Sequence, residues 1–80
     1  MTDSDLSNEI KQRIETKIPG AEVEVISGGN AHFTLNITSK IFEDLSPVKQ
    51  QQLVYSAITD LMAGDYAPVH AIDKMNLSVV

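Results

Sequence analysis

Two runs of alternating apolar and polar residues around a glycine-rich segment constrain the fold of this chain more than any other feature. Val23 and Val25 alternate with glutamates in residues 21–26, and apolar residues again alternate with polar ones in residues 31–39. This period of two is typical of strands with one buried face. Residues 27–30, Ser-Gly-Gly-Asn, tolerate the positive φ angles that turns require. The pattern therefore predicts a β-hairpin with strands over residues 21–26 and 31–39.

The alternation also predicts which residues of the hairpin face the core. The expected inward-facing residues of the second strand are Phe33, Leu35 and Ile37. The residues expected on the opposite, solvent-facing side of the sheet are Glu22, Glu24, His32, Thr34, Asn36 and Thr38.

An amphipathic helix is predicted before the hairpin, over residues 4–18. Apolar residues recur there every four positions, which places them along one helix face; they are Leu6, Ile10, Ile14 and Ile18. Asp3 or Ser4 is expected to cap the helix by accepting a hydrogen bond from an unpaired backbone N–H. Pro19 and Gly20 are expected to end it, because proline lacks the N–H that a helix needs.

A second helix is predicted after the hairpin. A short turn or helix over residues 40–45 precedes Ser46 and Pro47, which are typical of an N-cap and of a first helical position. The helix is expected to run to about Met62, with Gly64 at its C-terminal cap. Its expected apolar stripe consists of Val48, Tyr55, Ile58 and Met62, widened by Val54 and Leu61.

A third strand is predicted over residues 69–77, after a loop at residues 65–68, although Asp73, Lys74 and Asn76 interrupt its alternation. The order α-β-β-α-β predicts an α+β fold with a three-stranded mixed sheet, because the helix before strand three permits a parallel crossover. Each helix has one apolar stripe, so both are expected to cover the same face of the sheet. With 80 residues, of which 42% are hydrophobic, residues 1–80 are expected to form a single domain.

The composition disfavours several classes of protein. The chain has no cysteine, which removes disulfides and thiolate ligands, and its net charge of −5 argues against strong binding to phosphate backbones. No apolar run approaches the ~20 residues of a membrane span. The acidic, polar N-terminus is unlike a secretory signal, so we expect a soluble, cytoplasmic protein.

Enzymatic motifs are also missing from the sequence. Ser27, Ser39 and Ser46 lack the surroundings of a nucleophilic serine, and Gly28-Gly29 lacks those of a phosphate-binding loop. The carboxylate pairs Glu22/Glu24 and Glu43/Asp44 are expected to decorate a solvated strand face and a helix end. We therefore expect no enzymatic activity.

His32 and His70 are the candidate metal ligands of the chain. A neutral imidazole binds iron, zinc or copper, but a tetrahedral site usually needs four ligands. Two histidines without a cysteine would therefore need another molecule to supply the remaining ligands. Structural alternatives stay open: His32 as an exposed strand residue that pairs with a neighbour, and His70 as a partly buried structural histidine.

Nucleic-acid binding is the alternative function. The element order is that of KH-type domains, which bind single strands through a Gly-x-x-Gly loop, yet residues 41–47 contain no glycine and two acidic residues. The candidate contacts are Lys49, Gln50, Gln51 and Gln52, because glutamine can read adenine edges. A glutamine run is also typical of a solvated helix face.

Several short segments, in this order and spacing, resemble the BolA family. They are Ala31-His32-Phe33, then Phe42, then the stretch from Val48 to Tyr55, then Val69-His70-Ala71. The lysine–glutamine stretch before Val54-Tyr55 is similar to the IbaG-like (YrbA-like) bacterial branch. The resemblance covers nearly the whole chain. It departs at residues 50–52, three glutamines where the family commonly has Arg-His-Arg, and at Lys74, where an apolar residue is usual.

The resemblance implies a class II KH-like fold and an adaptor that shares a [2Fe-2S] cluster with a monothiol glutaredoxin. The glutaredoxin cysteine and glutathione would supply thiolates, while His70 would be the principal imidazole ligand and His32 the second. Iron–sulfur trafficking or iron and stress regulation would be its process. The isolated chain is expected to bind no cluster and to be a monomer or weak homodimer.

Two other functions stay open beside the shared cluster. Members of the family have been regarded as DNA-binding transcriptional regulators, a role that the loss of the three cations and the net charge of −5 weaken. An adaptor that binds a protein partner without any metal is the third hypothesis.

Overall fold

A computed structural model of the chain describes residues 2–64 and 67–79. These residues form α1 (Asp3–Lys17), β1 (Glu22–Gly29), β2 (His32–Thr38), a 3₁₀ helix (Lys40–Asp44), α2 (Pro47–Met62) and β3 (Ala71–Ser78). Strand β2 lies at the centre of the sheet, antiparallel to β1 and parallel to β3. The α+β fold with a mixed sheet is therefore confirmed.

The core lies between one face of the sheet and the two α-helices. The fully or nearly fully buried side chains include Phe33, Leu35 and Ile37 of β2, as the alternation predicts. The remaining buried apolar residues are Leu6, Ile10, Ile14, Ile18, Ala21, Phe42, Val54, Ile58, Leu61 and Val69. The predicted stripe of α1 is thus confirmed. The other face of the sheet carries polar side chains together with Ile26, whose exposed fraction is 47%.

The predicted stripe of α2 is wrong at Val48, whose exposed fraction is 63%. Val54, Ile58 and Leu61 define the buried face, while Tyr55 and Met62 are half-buried at its margin. At about 100° per residue, Val48 lies about 120° around the helix from Val54, which turns its side chain away from the sheet.

The start of α1 also differs from the prediction. Thr2, and neither Asp3 nor Ser4, is the N-cap: its side chain accepts from the N–H of Asp5, and the Asp5 carboxylate accepts from the N–H of Thr2. This reciprocal capping box satisfies two N–H groups at once, which a cap one residue later would not do. At α2 the predicted cap is confirmed, because Ser46 accepts from the N–H of Lys49.

The turn of the hairpin is tighter than the predicted four-residue loop. Strand β1 continues to Gly29, past a register irregularity between Ser27 and Gly29, so only Asn30 and Ala31 lie between the strands. Both residues have positive φ, 55° and 61°, as a two-residue type I′ turn requires. The turn therefore lies two residues nearer to His32 than the glycine pair indicates.

Strand β3 begins at Ala71, two residues later than predicted, and His70 precedes it. Part of the loop predicted at residues 65–68 lies outside the described residues. Among residues 2–64 and 67–79, neither α-helix has the length and hydropathy to cross a bilayer.

Candidate metal-ligating site

The two histidines meet at one end of the sheet. His32 is the first residue of β2 and pairs with Ala71 in the parallel ladder, so His70, just before β3, lies beside it. The centroids of the two imidazole rings are 6.2 Å apart, and the ring planes make an angle of 79°. Residues separated by 38 positions in the sequence are thereby brought into an edge-to-face pair.

Backbone hydrogen bonds hold the two histidine-bearing segments together. The carbonyl of Ala31 accepts from the N–H of His70 at 2.9 Å and from the N–H of Ala71 at 3.4 Å. Because Ala31 precedes His32 directly, the turn of the hairpin and the start of β3 are held as one unit at this end of the sheet.

The same turn is tied to α1 through side chains. The hydroxyl of Ser27 donates to a carboxylate oxygen of Asp3 at 2.8 Å, and its oxygen accepts from the N–H of Gly29 at 3.2 Å. Ser27 therefore links the end of β1 to the first turn of α1, which limits the movement of the loop that leads to His32.

Asp73 is a site residue that sequence reasoning missed. The register of β3 against β2 shifts between Phe33↔Ile72 and Thr34↔Lys74, which leaves Asp73 as an extra residue in β3. Its Oδ1 lies 2.9 Å from Nδ1 of His32. The sequence signal for this residue was the broken alternation of strand three. Broken alternation indicates a bulge, and a bulge turns a side chain in a direction that a regular strand would not give it.

Both imidazoles are accessible from outside. His70 is exposed, and the side chain of His32 keeps 40% of its accessible surface. The partly buried structural role considered for His70 is therefore wrong, whereas the pairing of His32 with a neighbour is observed. Within residues 2–64 and 67–79, no three His, Asp or Glu side chains are arranged to hold a metal ion.

A polar ladder crosses the open face of the sheet farther from the histidines. Asn76 of β3 donates to Asn36 of β2 at 2.7 Å, and Asn36 donates to Glu24 of β1 at 2.8 Å. This chain of side chains satisfies the amides in the middle of the face. The chemistry of that face is therefore concentrated at its histidine-bearing end.

The candidate nucleic-acid contacts differ in their exposure. Gln50 is half-buried, and its amide donates to the carbonyls of Phe42 at 2.8 Å and Leu45 at 3.0 Å. Lys49, Gln51 and Gln52 are exposed. Gln50 thus connects the 3₁₀ helix to α2, and its donor group is already used.

An open groove of about 440 Å³ lies between α1 and α2, lined in part by Glu9, Arg13 and Ser56. Arg13 donates to Glu9 at 2.8 Å within α1 and also to Asp60 of α2. The hydrogen bonds to Glu9 and Asp60 raise the pKa of Arg13 above its ordinary value. These contacts connect the two helices on the side of the molecule away from the open sheet face.

Comparison with known families gives one match over most of the chain. The model of a family described as BolA-like protein matches residues 4–77. The BolA-like protein 1 of Bos taurus is 40% identical over 45 residues, which cover 56% of this chain and 31% of that protein. The BolA-like protein 3 of Saccharomyces cerevisiae is 38% identical over 56 residues, 69% of this chain and 46% of that protein. The chain thus spans less than half the length of these relatives.

Solved structures agree with this match. A BolA protein homologue from Coxiella burnetii is 28% identical, with a TM-score of 0.70 over 99% of this chain and 91% of that one. A Bol-like protein from Babesia bovis has a TM-score of 0.76 over 91% of this chain and 83% of that one. At 24% identity the latter likeness shows the fold alone.

Proposed function

Because this chain belongs to the BolA-like protein family, we propose that it is a non-enzymatic adaptor that shares a [2Fe-2S] cluster with a monothiol glutaredoxin. His70 is the principal ligand from this chain and His32 the second. The observation that carries the proposal is the pair of accessible imidazoles, with ring centroids 6.2 Å apart, at one end of the sheet.

The spacing of the imidazoles fits a shared iron. Two imidazoles bound to one tetrahedral metal ion through nitrogens at about 2.1 Å place their ring centroids about 5 Å apart. The observed 6.2 Å exceeds this by about 1 Å, a difference that rotation of the exposed His70 side chain can remove. This rotation needs no movement of the backbone, which the hydrogen bond from the N–H of His70 to the carbonyl of Ala31 holds in place.

The donor set fits a cluster that is completed by a partner. The chain has no cysteine, so the sulfur ligands come from the glutaredoxin cysteine and from glutathione. His70 and His32 would hold such a cluster through imidazole nitrogens, and imidazole in place of thiolate would raise its reduction potential. This chain contributes two neutral nitrogen donors and an accessible sheet end on which the partner can dock.

The finer parts of the proposal extend beyond the family assignment. We place the chain in the IbaG-like (YrbA-like) branch on its Lys49-to-Tyr55 stretch, and we expect it to act in the cytoplasm in iron–sulfur trafficking or iron and stress regulation. DNA binding through Lys49, Gln51 and Gln52 stays a prediction that no contact favours, because Gln50 is engaged and the net charge is −5.

The test is co-expression of the chain with a monothiol glutaredoxin, followed by visible absorption and circular dichroism of the purified complex. We expect His70→Ala to abolish or strongly reduce cluster absorbance and His32→Ala to weaken cluster retention. Ser78→Ala, at the far end of the same sheet face, is the matched control and retains the cluster. Unchanged absorbance and complex stability in His70→Ala would overturn the ligand assignment.

The same preparations separate the other hypotheses. A complex that forms equally well without cluster or glutathione favours a metal-free protein adaptor over the proposal. Micromolar DNA affinity at physiological salt, abolished by Lys49→Ala, favours the nucleic-acid function instead.

A further inference from the structure

The contact between His32 and Asp73 joins the two neighbouring strands at the histidine-bearing end of the sheet. It depends on the irregularity in β3, since Asp73 is the residue that has no counterpart in β2 between Phe33 and Thr34. The Nδ1–Oδ1 distance is 2.9 Å, and the pair is partly exposed, with 40% of the His32 and 53% of the Asp73 side chain accessible.

The end of β1 approaches the same pair. A Cβ placed on Gly28 would lie 3.8 Å from Oδ2 of Asp73 and 3.6 Å from the carbonyl oxygen of His32, both ordinary contact distances. The carboxylate of Asp73 therefore lies near the backbone at the end of β1 as well as beside the His32 ring. Gly28 has no side chain that would crowd this carboxylate.

The contact with the Asp73 carboxylate favours one of the two ring nitrogens of His32 as the one that carries the proton. An ionised carboxylate can only accept, so Nδ1 of His32 must be the donor. In a neutral imidazole the other nitrogen, Nε2, then holds the free electron pair. Histidines that bind metals usually donate their second nitrogen to a carboxylate or carbonyl in this way, which fixes the tautomer and the ring orientation.

We infer that Asp73 is a positioning residue that holds His32 with Nδ1 protonated and presents Nε2 as the nitrogen that binds metal. The second half of this inference rests on the proposed function, whereas the first half concerns the isolated chain alone. The two histidines consequently differ: Asp73 orients His32, and no hydrogen bond from residues 2–64 or 67–79 holds the ring of His70. His32 supplies a fixed donor and His70 an adjustable one.

The first experiment reads the tautomers directly in the isolated, ¹⁵N-labelled full chain. Long-range ¹H–¹⁵N correlation spectra at about pH 8.5, where ordinary imidazoles are neutral, distinguish a protonated ring nitrogen from one with a free pair. We expect His32 to be mainly the Nδ1–H tautomer and His70 to be mainly Nε2–H, as in free histidine.

Variants identify the group responsible. Asp73→Ala should convert the His32 pattern to that of His70, while Asp44→Ala, which removes an exposed carboxylate elsewhere, should leave it unchanged. A His32 that is mainly Nε2–H in the unsubstituted chain would overturn the inference, and so would an Nδ1–H tautomer that persists in Asp73→Ala. A contact that exists only as an ion pair, with both ring nitrogens of His32 protonated, would leave Nε2–H as the main tautomer at about pH 8.5.

The second experiment uses the complex with a monothiol glutaredoxin. Removing the carboxylate makes imidazole a weaker electron donor, so Asp73→Ala should raise the reduction potential of the cluster and speed its loss by about 10–100-fold. After chemical reduction of the cluster by one electron, pulsed electron paramagnetic resonance should show a changed ¹⁴N coupling for one imidazole only. An unchanged potential and unchanged couplings would overturn the positioning role.

The two experiments fail independently. If the unsubstituted complex holds no cluster, the proposed function is wrong, and the tautomer measurement still decides what Asp73 does to His32. If the cluster forms and Asp73→Ala alters neither tautomer nor potential, the proposed function stands and the role of Asp73 is wrong.

Discussion

The backbone N–H of His70 donates to the carbonyl oxygen of Ala31 across a distance of 2.9 Å. Ala31 has a φ of 61°, a left-handed conformation that its Cβ disfavours. The carbonyl that holds the backbone of His70 in place is thus supplied by Ala31, a strained turn residue. Strain of this kind persists only where surrounding contacts fix the backbone, here the paired strands on either side.

Replacing Ala31 with glycine should stabilise the protein. The left-handed conformation costs alanine about 1–2 kcal/mol, whereas glycine adopts it freely but loses about 0.4–1 kcal/mol through its more flexible unfolded state. We expect Ala31→Gly, which creates the favoured Asn-Gly turn, to raise the free energy of unfolding by about 0.5–1 kcal/mol in urea titrations. Ala63→Gly is the control, because Ala63 has a φ of −89°. A decrease in both variants would contradict the assigned strain.

Gln50→Ala should destabilise the protein although Gln50 lies in a polar run. Its amide satisfies the carbonyls of Phe42 and Leu45, and their loss should cost about 1–2 kcal/mol of unfolding free energy. Gln51→Ala, one position along the same helix and exposed, should change stability by less than about 0.5 kcal/mol. Equal effects in chemical denaturation would show that the two carbonyl contacts contribute nothing.

The sequence was sufficient for elements whose pattern follows local geometry. The four-residue spacing of the α1 stripe and the alternation of β2 identify buried residues, because one core face lies against each element. The Ser46-Pro47 pair gives the start of α2 because capping is a local interaction. That His32 and His70 act together was implied only by the family resemblance, and their proximity became visible only in the fold.

Features that depend on pairing between strands were not visible in the sequence. The turn moved to Asn30 and Ala31 because strand register, and not the glycine pair, decides where the hairpin reverses. In the sequence, Asp73 only interrupts the alternation of strand three, because the contact that gives it a role is with His32, 41 positions earlier. The glutamine run looked uniform, although Gln50 alone points back towards the 3₁₀ helix.

Leu35→Ala should be among the most damaging single substitutions. Leu35 is fully buried in the central strand, and removing such a side chain costs about 2–5 kcal/mol. A chain of 80 residues has a total unfolding free energy of about 4–12 kcal/mol, so the variant should be marginally folded in thermal and urea unfolding. Val48→Ala, at an exposed apolar position, should be nearly neutral. A mild effect at Leu35 would contradict the placement of the core.

Arg13→Gln should lower the melting temperature at low salt and much less at high salt. Arg13 links α1 to α2 through Glu9 and Asp60, and these carboxylates raise its pKa above the ordinary value. A group whose pKa is raised in the folded state contributes stability that is fully present below its pKa in the unfolded chain. This stability is lost as the pH rises through its pKa in the folded protein. Arg13 itself therefore adds no pH dependence between about pH 6 and 10.

Salt concentration is the variable that reveals this link. The distance over which exposed charges still interact falls from about 10 Å at 0.1 M salt to about 3 Å at 1 M salt. Melting curves of Arg13→Gln should be compared with those of Lys11→Gln, which makes the same change in net charge from an exposed position on α1. A larger, salt-sensitive loss in Arg13→Gln assigns the effect to the link between the helices. Equal losses in the two variants would assign it to net charge and remove the ion pairs from the account of how α1 and α2 are held together.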